Sequence, residues 1–464
     1  MNQPLVHTRW SGCFLCAVLG TAMLAALPAV AAEPQQGPLV LALEEALAIA
    51  AEQNHDIQKA LEYRNYVNGR YVEERAAALP QVTITASGLH LKDESMKDFY
   101  SGLYSLPLDQ SMKELFSGII PMEQDIAAGE VSLTQALFTW GQVSAAIRTA
   151  KVGLAIAEDQ LRLYRQAAAR DVSAAFYDVL LAREVATLAQ QNLDQKVRHA
   201  GEARRRNEAG TATDYDVLAT EVDADNARPP VIRAQNQVTT ALERLRFLLA
   251  LNTGELAVRG SITAVITPYP DYEDALSEAL TYRPELTEIG HRRGVAKELI
   301  TIAKAGDKPR LDFRGAFGWK EIWMDEIDSD GQVWQAGLFV SFPVFDGLRS
   351  RGRVTQARSD AATLEIEEAK LRDAIALEVR NAVDAVRESG EIVRAISGTV
   401  AQAERLLLMA DRGYAYGVKT NLEVQDAQLN LIRAKGSLAI AQRDYLVSCV
   451  NLEWVKGTLN LPAK

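Results

Sequence analysis

GQVSAAIRTAKVGLAIAEDQLRLYRQAAAR (141–170) and DVSAAFYDVLLAREVATLAQQNLDQKVRHAGEARRRNEAG (171–210) form one uninterrupted stretch without proline. Strong helix formers dominate it. Apolar residues recur at Ile147, Ala150, Leu154, Ala157, Leu161, Tyr164 and Ala168, then at Val172, Phe176 and Val179. Steps of three and four residues give a helix with one buried seam. The two consecutive steps of four from Ala168 to Phe176 are a stutter that locally straightens a supercoil. At ~1.5 Å per residue the rod is roughly 100 Å long, several times an ordinary helix. A rod of that length does not wall a compact globule.

The pattern occurs twice. Gly347 to Gly417 is again free of proline, with Val386, Val393, Val400 and Leu407 at heptad spacing. Each rod ends in a glycine turn, Ala209-Gly210-Thr211-Ala212-Thr213 and Tyr416-Gly417-Val418-Lys419-Thr420, and more helix follows, Asp214–Leu251 and Asn421–Leu459. These are helical hairpins over 141–251 and 347–459. Pro229-Pro230 interrupts the first returning helix, whereas the second has Gly436-Ser437 there, so a kink or break is expected in the first copy alone.

Upstream, Leu41 to about Arg75 reads as a helix. Leu43-Glu44-Glu45-Ala46-Leu47 matches Tyr272-Glu273-Asp274-Ala275-Leu276, and the same spacing still holds at Pro80 and Pro309. A fixed offset over such a length marks an internal duplication. After each proline the chain alternates with period two, at Val82–Ser87 and more clearly at Leu311–Trp319. Return strands are expected at Glu130–Phe138 and Trp334–Phe345, giving β-hairpins over 82–138 and 311–345. Their loops, about Lys92–Ala128 and Lys320–Gln332, differ in length, as exposed loops tolerate. Trp140, Trp319, Trp334, Phe342 and Phe345 cluster near strand ends, where an aromatic girdle would sit at a membrane interface.

Residues 1–31 read as a signal peptide: His7 and Arg9, an apolar run from Cys13 to Leu27, then Ala29-Val30-Ala31 for cleavage. The run is too short to span a bilayer. The domain division is then 1–31 signal, 32–271 first repeat and 272–464 second repeat, with an irregular linker from Leu251 to Asp271. Beyond the signal the only cysteine is Cys449, which reads as a small buried apolar residue. A net charge of −11 argues against nucleic acid as a partner. The four histidines after the signal, His55, His90, His199 and His291, have no metal-ligand spacing. Gly413–Thr420 echoes a phosphate loop without its Gly-Lys adjacency. Neither a catalytic set nor a metal or cofactor site is expected, so the protein is not read as an enzyme.

Four strands with an apolar face cannot close a barrel, and open edges do not survive in lipid. Three chains would supply twelve strands around a water-filled lumen. The expected fold is therefore mixed but mainly α: a trimeric 12-stranded transmembrane β-barrel continued by a long periplasmic helical barrel.

The order of elements resembles the TolC family of outer-membrane efflux proteins. The likeness rests on Leu43-Glu44-Glu45-Ala46-Leu47, Leu79-Pro80-Gln81, Gln135-Ala136-Leu137-Phe138 with Gly141, and Phe342-Pro343-Val344-Phe345-Asp346-Gly347. It also rests on the tip segments Arg206–Thr211 and Tyr414–Thr420, and on Gly457-Thr458-Leu459-Asn460. The chain departs from some members in stopping soon after its last helix, and in Pro229-Pro230. The resemblance implies a homotrimer in the outer membrane, in contact with its lipid, docked to a periplasmic adaptor and an inner-membrane transporter. It implies a passive exit duct for tripartite efflux or type I secretion. A periplasmic coiled-coil spacer, or an adaptor without a channel, is the alternative reading, and it leaves the strands unexplained.

Glu423 and Asp426 lie three apart on one helix face beyond Gly417. They read either as solvated surface charges or, if that face looks inward around a threefold axis, as two acidic rings that favour cations. The resemblance implies the second. It also implies that Tyr414 and Lys419, with Asp216 from the first copy, bond to neighbouring helices and hold the constriction shut. The turns Gly210-Thr211-Ala212 and Gly417-Val418-Lys419 would be where the adaptor docks; equally, they are ordinary left-handed helix caps.

Overall fold

In the computed structural model, residues 39–92, 123–252, 254–324 and 327–461 are described, with scattered positions between 93 and 122. Residues 1–31, read above as a signal peptide, and most of the first inter-strand loop lie outside the described residues. The chain runs β1 (Leu39–Leu41), α1 (Leu43–Gln53), α2 (His55–Ala76), β2 (Gln81–Lys92), β3 (Glu123–Phe138), α3 (Gln142–Glu208), α4 (Asp214–Asn226) and α5 (Arg228–Leu248). It continues with β4 (Leu256–Val258), α6 (Tyr272–Tyr282), α7 (Pro284–Lys304), β5 (Arg310–Met324), β6 (Ile327–Ser341), α8 (Arg349–Ala415) and α9 (Asn421–Lys456). Helix pair, strand pair, long helix and returning helix thus occur in the same order twice.

Both long helices, α3 and α8, are 67 residues, about 100 Å each at 1.5 Å per residue. Each starts beside a left-handed residue, Gly141 at φ +81° and Leu348 at φ +67°. The expected interruption at Pro229-Pro230 is confined to one residue: α4 ends at Asn226, Ala227 stays right-handed, and α5 restarts at Arg228 with the prolines in its first turn, where their missing N–H costs nothing. Its counterpart α9 runs unbroken for 36 residues.

The reading of Leu41–Arg75 as one helix needs correction. The helix breaks at Asn54, whose side-chain oxygen accepts from the Asp56 and Ile57 amides while its Nδ2 donates to Leu248 O at 2.9 Å. Copy two breaks at the same place, with Arg283 extended and Pro284 opening α7. The buried Arg283 guanidinium spans Glu285, at 2.7 Å, and Glu378. A two-stranded parallel sheet, β1 with β4, was also not expected; it fastens the linker to the start of the first copy.

The four long strands form one antiparallel sheet in the order β2-β3-β5-β6, with β2 and β6 at its two open edges. The register aligns Ile84, Val131, Phe317 and Trp334 in one row across all four strands. Ile84 is 79% and Trp334 72% exposed. Val82, Leu133, Trp319 and Leu338 share that face. The opposite face carries Thr83, Ser132, Ala316 and Gln335 in the next row, then Thr85 and Glu130. On it Arg314 lies over the Phe339 ring, 5.0 Å from the centroid. An apolar face outside and a polar face inside is the alternation of a transmembrane barrel wall.

The return strands differ from expectation. β3 begins at Glu123, and β6 spans Ile327–Ser341, so the loop expected at Lys320–Gln332 shrinks to residues 325 and 326, which lie outside the described residues. Above Trp319 charges join Trp323 on the apolar face: Glu321 and Asp330 are paired in register, and His90 is bonded to Asp125 at 2.7 Å. Those charges resemble a loop in sequence although the ladder continues. Phe342 and Phe345 fall beyond β6 and outside the ladder, because Pro343 has no N–H to donate.

Candidate functional site: the paired hairpin tips

Both tips are built by the same local chemistry. In the first, Gly210 stands at φ +73°, its amide donating to Asn207 O and the Thr211 amide to Arg206 O, each at 2.8 Å. In the second, Gly417 is also at φ +73°, with its amide on Tyr414 O at 3.0 Å and the Val418 amide on Gly413 O at 2.8 Å. This doubled bond pattern satisfies the last helix carbonyls and requires the left-handed residue that glycine supplies.

Each returning helix then opens with a reciprocal cap. The Asp216 amide donates to Thr213 Oγ1 at 3.2 Å, and Asp216 Oδ2 accepts from the Thr213 amide at 2.9 Å. The Glu423 amide donates to Thr420 Oγ1 at 3.3 Å, and Glu423 Oε2 accepts from the Thr420 amide at 2.8 Å. Thr-x-x-Asp and Thr-x-x-Glu are the sequence signature of such caps. Asp216 and Glu423 thus occupy the same position in the two copies.

Lys419 folds its stem across Gly413, where even a Cβ would lie 2.5 Å from Lys419 Cγ. Its ammonium then reaches Glu423 in its own hairpin, where the resemblance implied a neighbouring helix. The Lys419 hydrogen bond and the Thr420 amide lower the Glu423 carboxyl to about 2, and the Thr213 amide and hydroxyl lower that of Asp216. Asp426 is exposed on the face of α9 that carries the exposed Leu422 and Leu429. Opposite, Val424 and Ala427 are buried against Ala410 of α8. Gln428, 2% exposed, has no partner for either polar side-chain atom among the described residues. Tyr414 does not meet Asp216. Its hydroxyl accepts from Arg206 Nη1 of α3, and the guanidinium lies 5.0 Å from the ring centroid.

The sign of the pH effect follows from the depressed Glu423 carboxyl. Its contribution to the cap is complete above about 4.5, the ordinary glutamate value, and is lost as pH falls through about 2. Amide exchange over 413–424, taken as a ratio to that of Glu423→Gln at the same pH, is expected to stay slowed at pH 4 and to converge near pH 2. Convergence already at pH 4 would show that the Lys419 pair does not hold the carboxylate.

The aromatic residues fall at two levels. Trp319 and Trp334 stand on the apolar sheet face. Trp140, at φ +51° and edge-on to Phe138 at 5.2 Å, lies with Phe342 and Phe345 at the helical end of the sheet. From Leu311 to Trp319 the strand rises about 20 Å at ~3.3 Å per residue and a tilt near 40°, close to the height of an outer-membrane apolar band. No helix among the described residues is long and apolar enough to cross a membrane. No group of residues that could hold a metal ion occurs among them.

A membrane-type sheet continued by paired hairpin rods defines an outer-membrane exit duct. The chain belongs to the outer membrane efflux protein family, whose sequence pattern matches residues 46–251 and 275–458. It is 24% identical over 353 residues to the outer membrane protein TolC of Escherichia coli K12, covering 73% of this chain and 71% of TolC. It is 25% identical over 348 residues to the alkaline protease secretion protein AprF of Pseudomonas aeruginosa, covering 73% of this chain and 71% of AprF. The CmeC outer membrane channel of Campylobacter jejuni shares the fold, with a TM-score of 0.75 at 15% identity, covering 91% of this chain and 87% of CmeC. The protein is an outer-membrane channel with a periplasmic helical extension, the exit duct of a tripartite efflux or type I secretion system.

Proposed function

We propose that three chains assemble into one conduit, that their hairpin tips form its gate, and that a periplasmic adaptor docks on the Gly210-Thr211-Ala212 and Gly417-Val418-Lys419 turns. The observation that carries this reading is the four-stranded sheet with an exposed apolar face and both edges open. Open edges in hydrocarbon leave unpaired N–H and C=O groups, each costing several kcal/mol, so β6 of one chain pairs with β2 of the next until the wall closes. Trp140, Trp319, Trp334, Phe342 and Phe345 then contact lipid as the girdle. The domain division of 1–31, 32–271 and 272–464 goes with this reading, as does passive conduction without catalysis, driven by an inner-membrane transporter.

At the tips, Glu423 and Asp426 form the acidic rings, Asp216 contributes from the first copy, and Tyr414 and Lys419 fix the helices that carry them. Carboxylate rings favour cations and repel one another unless basic groups intervene, which is the part Lys419 plays on Glu423. Adaptor contact at the turns splays the returning helices. Purified protein is expected to have the mass of three chains in detergent and to insert in planar bilayers as a low-conductance, cation-preferring pore. Tyr414→Phe combined with Lys419→Ser is expected to raise its conductance several-fold. A monomer would end the conduit reading, and unchanged conductance in the double variant would remove these residues from the gate.

A further inference from the structure

We infer that Arg206 is a positioning residue of the gate, the first-copy half of a clasp that ties the two hairpin tips of one protomer together through Tyr414. The inference rests on the gate reading above and names a residue that reading does not contain. Arg206 lies in the last turn of α3, and Tyr414 in the last turn of α8. The guanidinium donates to the tyrosine hydroxyl and also lies against its ring, so a single side chain makes a charge-assisted hydrogen bond and a cation–π contact.

The position of this contact gives it leverage. Among the described hydrogen bonds and ion pairs, the next link between the two hairpins is Arg443 of α9 with Asp178 of α3, at 2.7 Å. Asp178 stands about 42 Å above Arg206 along the rod, at 1.5 Å per residue. The other tip pairs stay inside one hairpin: Arg204 with Glu221, Lys196 with Asp223, Lys435 with Glu404, and Lys419 with Glu423. Any outward swing of one tip relative to the other over that length therefore has to break Arg206–Tyr414, whereas the remaining pairs move with their own hairpin. Tyr414 also packs against the small cluster of Ala410, Val424 and Ala427. The clasp thus bears directly on the helix that presents Glu423 and Asp426.

A cation in this place does what a carboxylate could not. It binds the ring face as well as the hydroxyl, and it adds no negative charge beside the acidic rings. Lysine would keep the charge but lose the planar contact.

The test is single-channel recording of the full-length protein in planar bilayers, comparing wild type with Arg206→Gln, Arg206→Lys, Tyr414→Phe and the double variant Arg206→Gln/Tyr414→Phe. Arg206→Gln is expected to raise the open fraction roughly five- to tenfold, the effect of losing one charge-assisted bond with its ring contact. Arg206→Lys is expected to restore part of the closure, and the double variant to open no further than Arg206→Gln alone. Arg206 is exposed, so the variants should insert as wild type does; equal thermal unfolding of each checks that the change lies at the tip. Opening in Tyr414→Phe with wild-type closure in Arg206→Gln overturns the clasp and leaves the gate standing. Wild-type closure in every variant overturns the gate reading and the clasp with it.

Discussion

Replacement of Gly457 by alanine is expected to cost about 2–5 kcal/mol, the combined effect of left-handed strain and overpacking against backbone. Gly457 ends α9 at φ +75°. A Cβ there would lie 2.8 Å from Tyr282 C and 2.9 Å from both Tyr282 O and Arg283 N. Those atoms belong to the break between α6 and α7, which cannot yield without moving the buried Arg283 off Glu285 and Glu378. The Gly457 carbonyl also accepts from the buried Gln166 Nε2 at 2.8 Å. One residue therefore joins the end of the chain to both the second-copy break and the first long helix. Thermal unfolding in detergent, followed by helical circular dichroism, should show an apparent midpoint lower by roughly 5 °C or more. Gly436→Ala is the control, since its added Cβ meets nothing within 4 Å and α9 is helical there; equal midpoints for the two variants would refute the argument.

What the sequence disclosed, and what it hid, follows from the length scale of each signal. The long rods were legible because their seam repeats many times between Ile147 and Val179, so no single residue had to be decisive. The duplication was legible for the same reason. Asn54 and Arg283 were not, because a one-residue break leaves the apolar period on either side intact; only Pro284 marked the spot, through the residue before it. β1 and β4 are three residues each, too short for alternation to register. The outer ends of β3 and β5 read as loop because charges interrupt their apolar alternation above Trp319, where Glu321 and Asp125 share the outward face with Trp323.

At the tips the chemistry was legible as residue types but not as pairings. Tyr414, Lys419 and Glu423 were visible; that Lys419 serves Glu423, and that Tyr414 turns to Arg206, depends on how two rods separated by over two hundred positions come to lie side by side. Nothing local in Arg204-Arg205-Arg206 distinguishes the arginine that crosses to the other hairpin from the one that pairs with Glu221. Gln428 was equally silent, since glutamine in a heptad usually lies at the surface.

Gly318→Val is expected to prevent the barrel wall from forming while leaving the helical region able to fold. Gly318 sits at the centre of β5, where it pairs with Glu130 of β3. The β3–β5 ladder is the one that joins the strand hairpin of the first copy to that of the second. A Cβ at 318 would stand 2.4 Å from Gly129 O and 3.0 Å from Glu130 Cα. Neither atom is the end of a flexible side chain, so relief requires the strands to part. Neighbouring strands lie about 4.8 Å apart when paired, and a shift large enough to admit a valine breaks several ladder bonds in lipid, where each unpaired group costs several kcal/mol. Gly129→Val is the matching control: Gly129 lies on the central strand β3, its added Cβ meets nothing within 4 Å, and a β-branched residue suits an exposed strand position. Membrane fractionation should find Gly318→Val protein depleted from the outer membrane at least tenfold relative to Gly129→Val, with helical circular dichroism retained in material recovered in detergent. Normal insertion of Gly318→Val would mean that β3 and β5 are not paired in register at this row, and the row of Ile84, Val131, Phe317 and Trp334 on the lipid face would have to be redrawn with it.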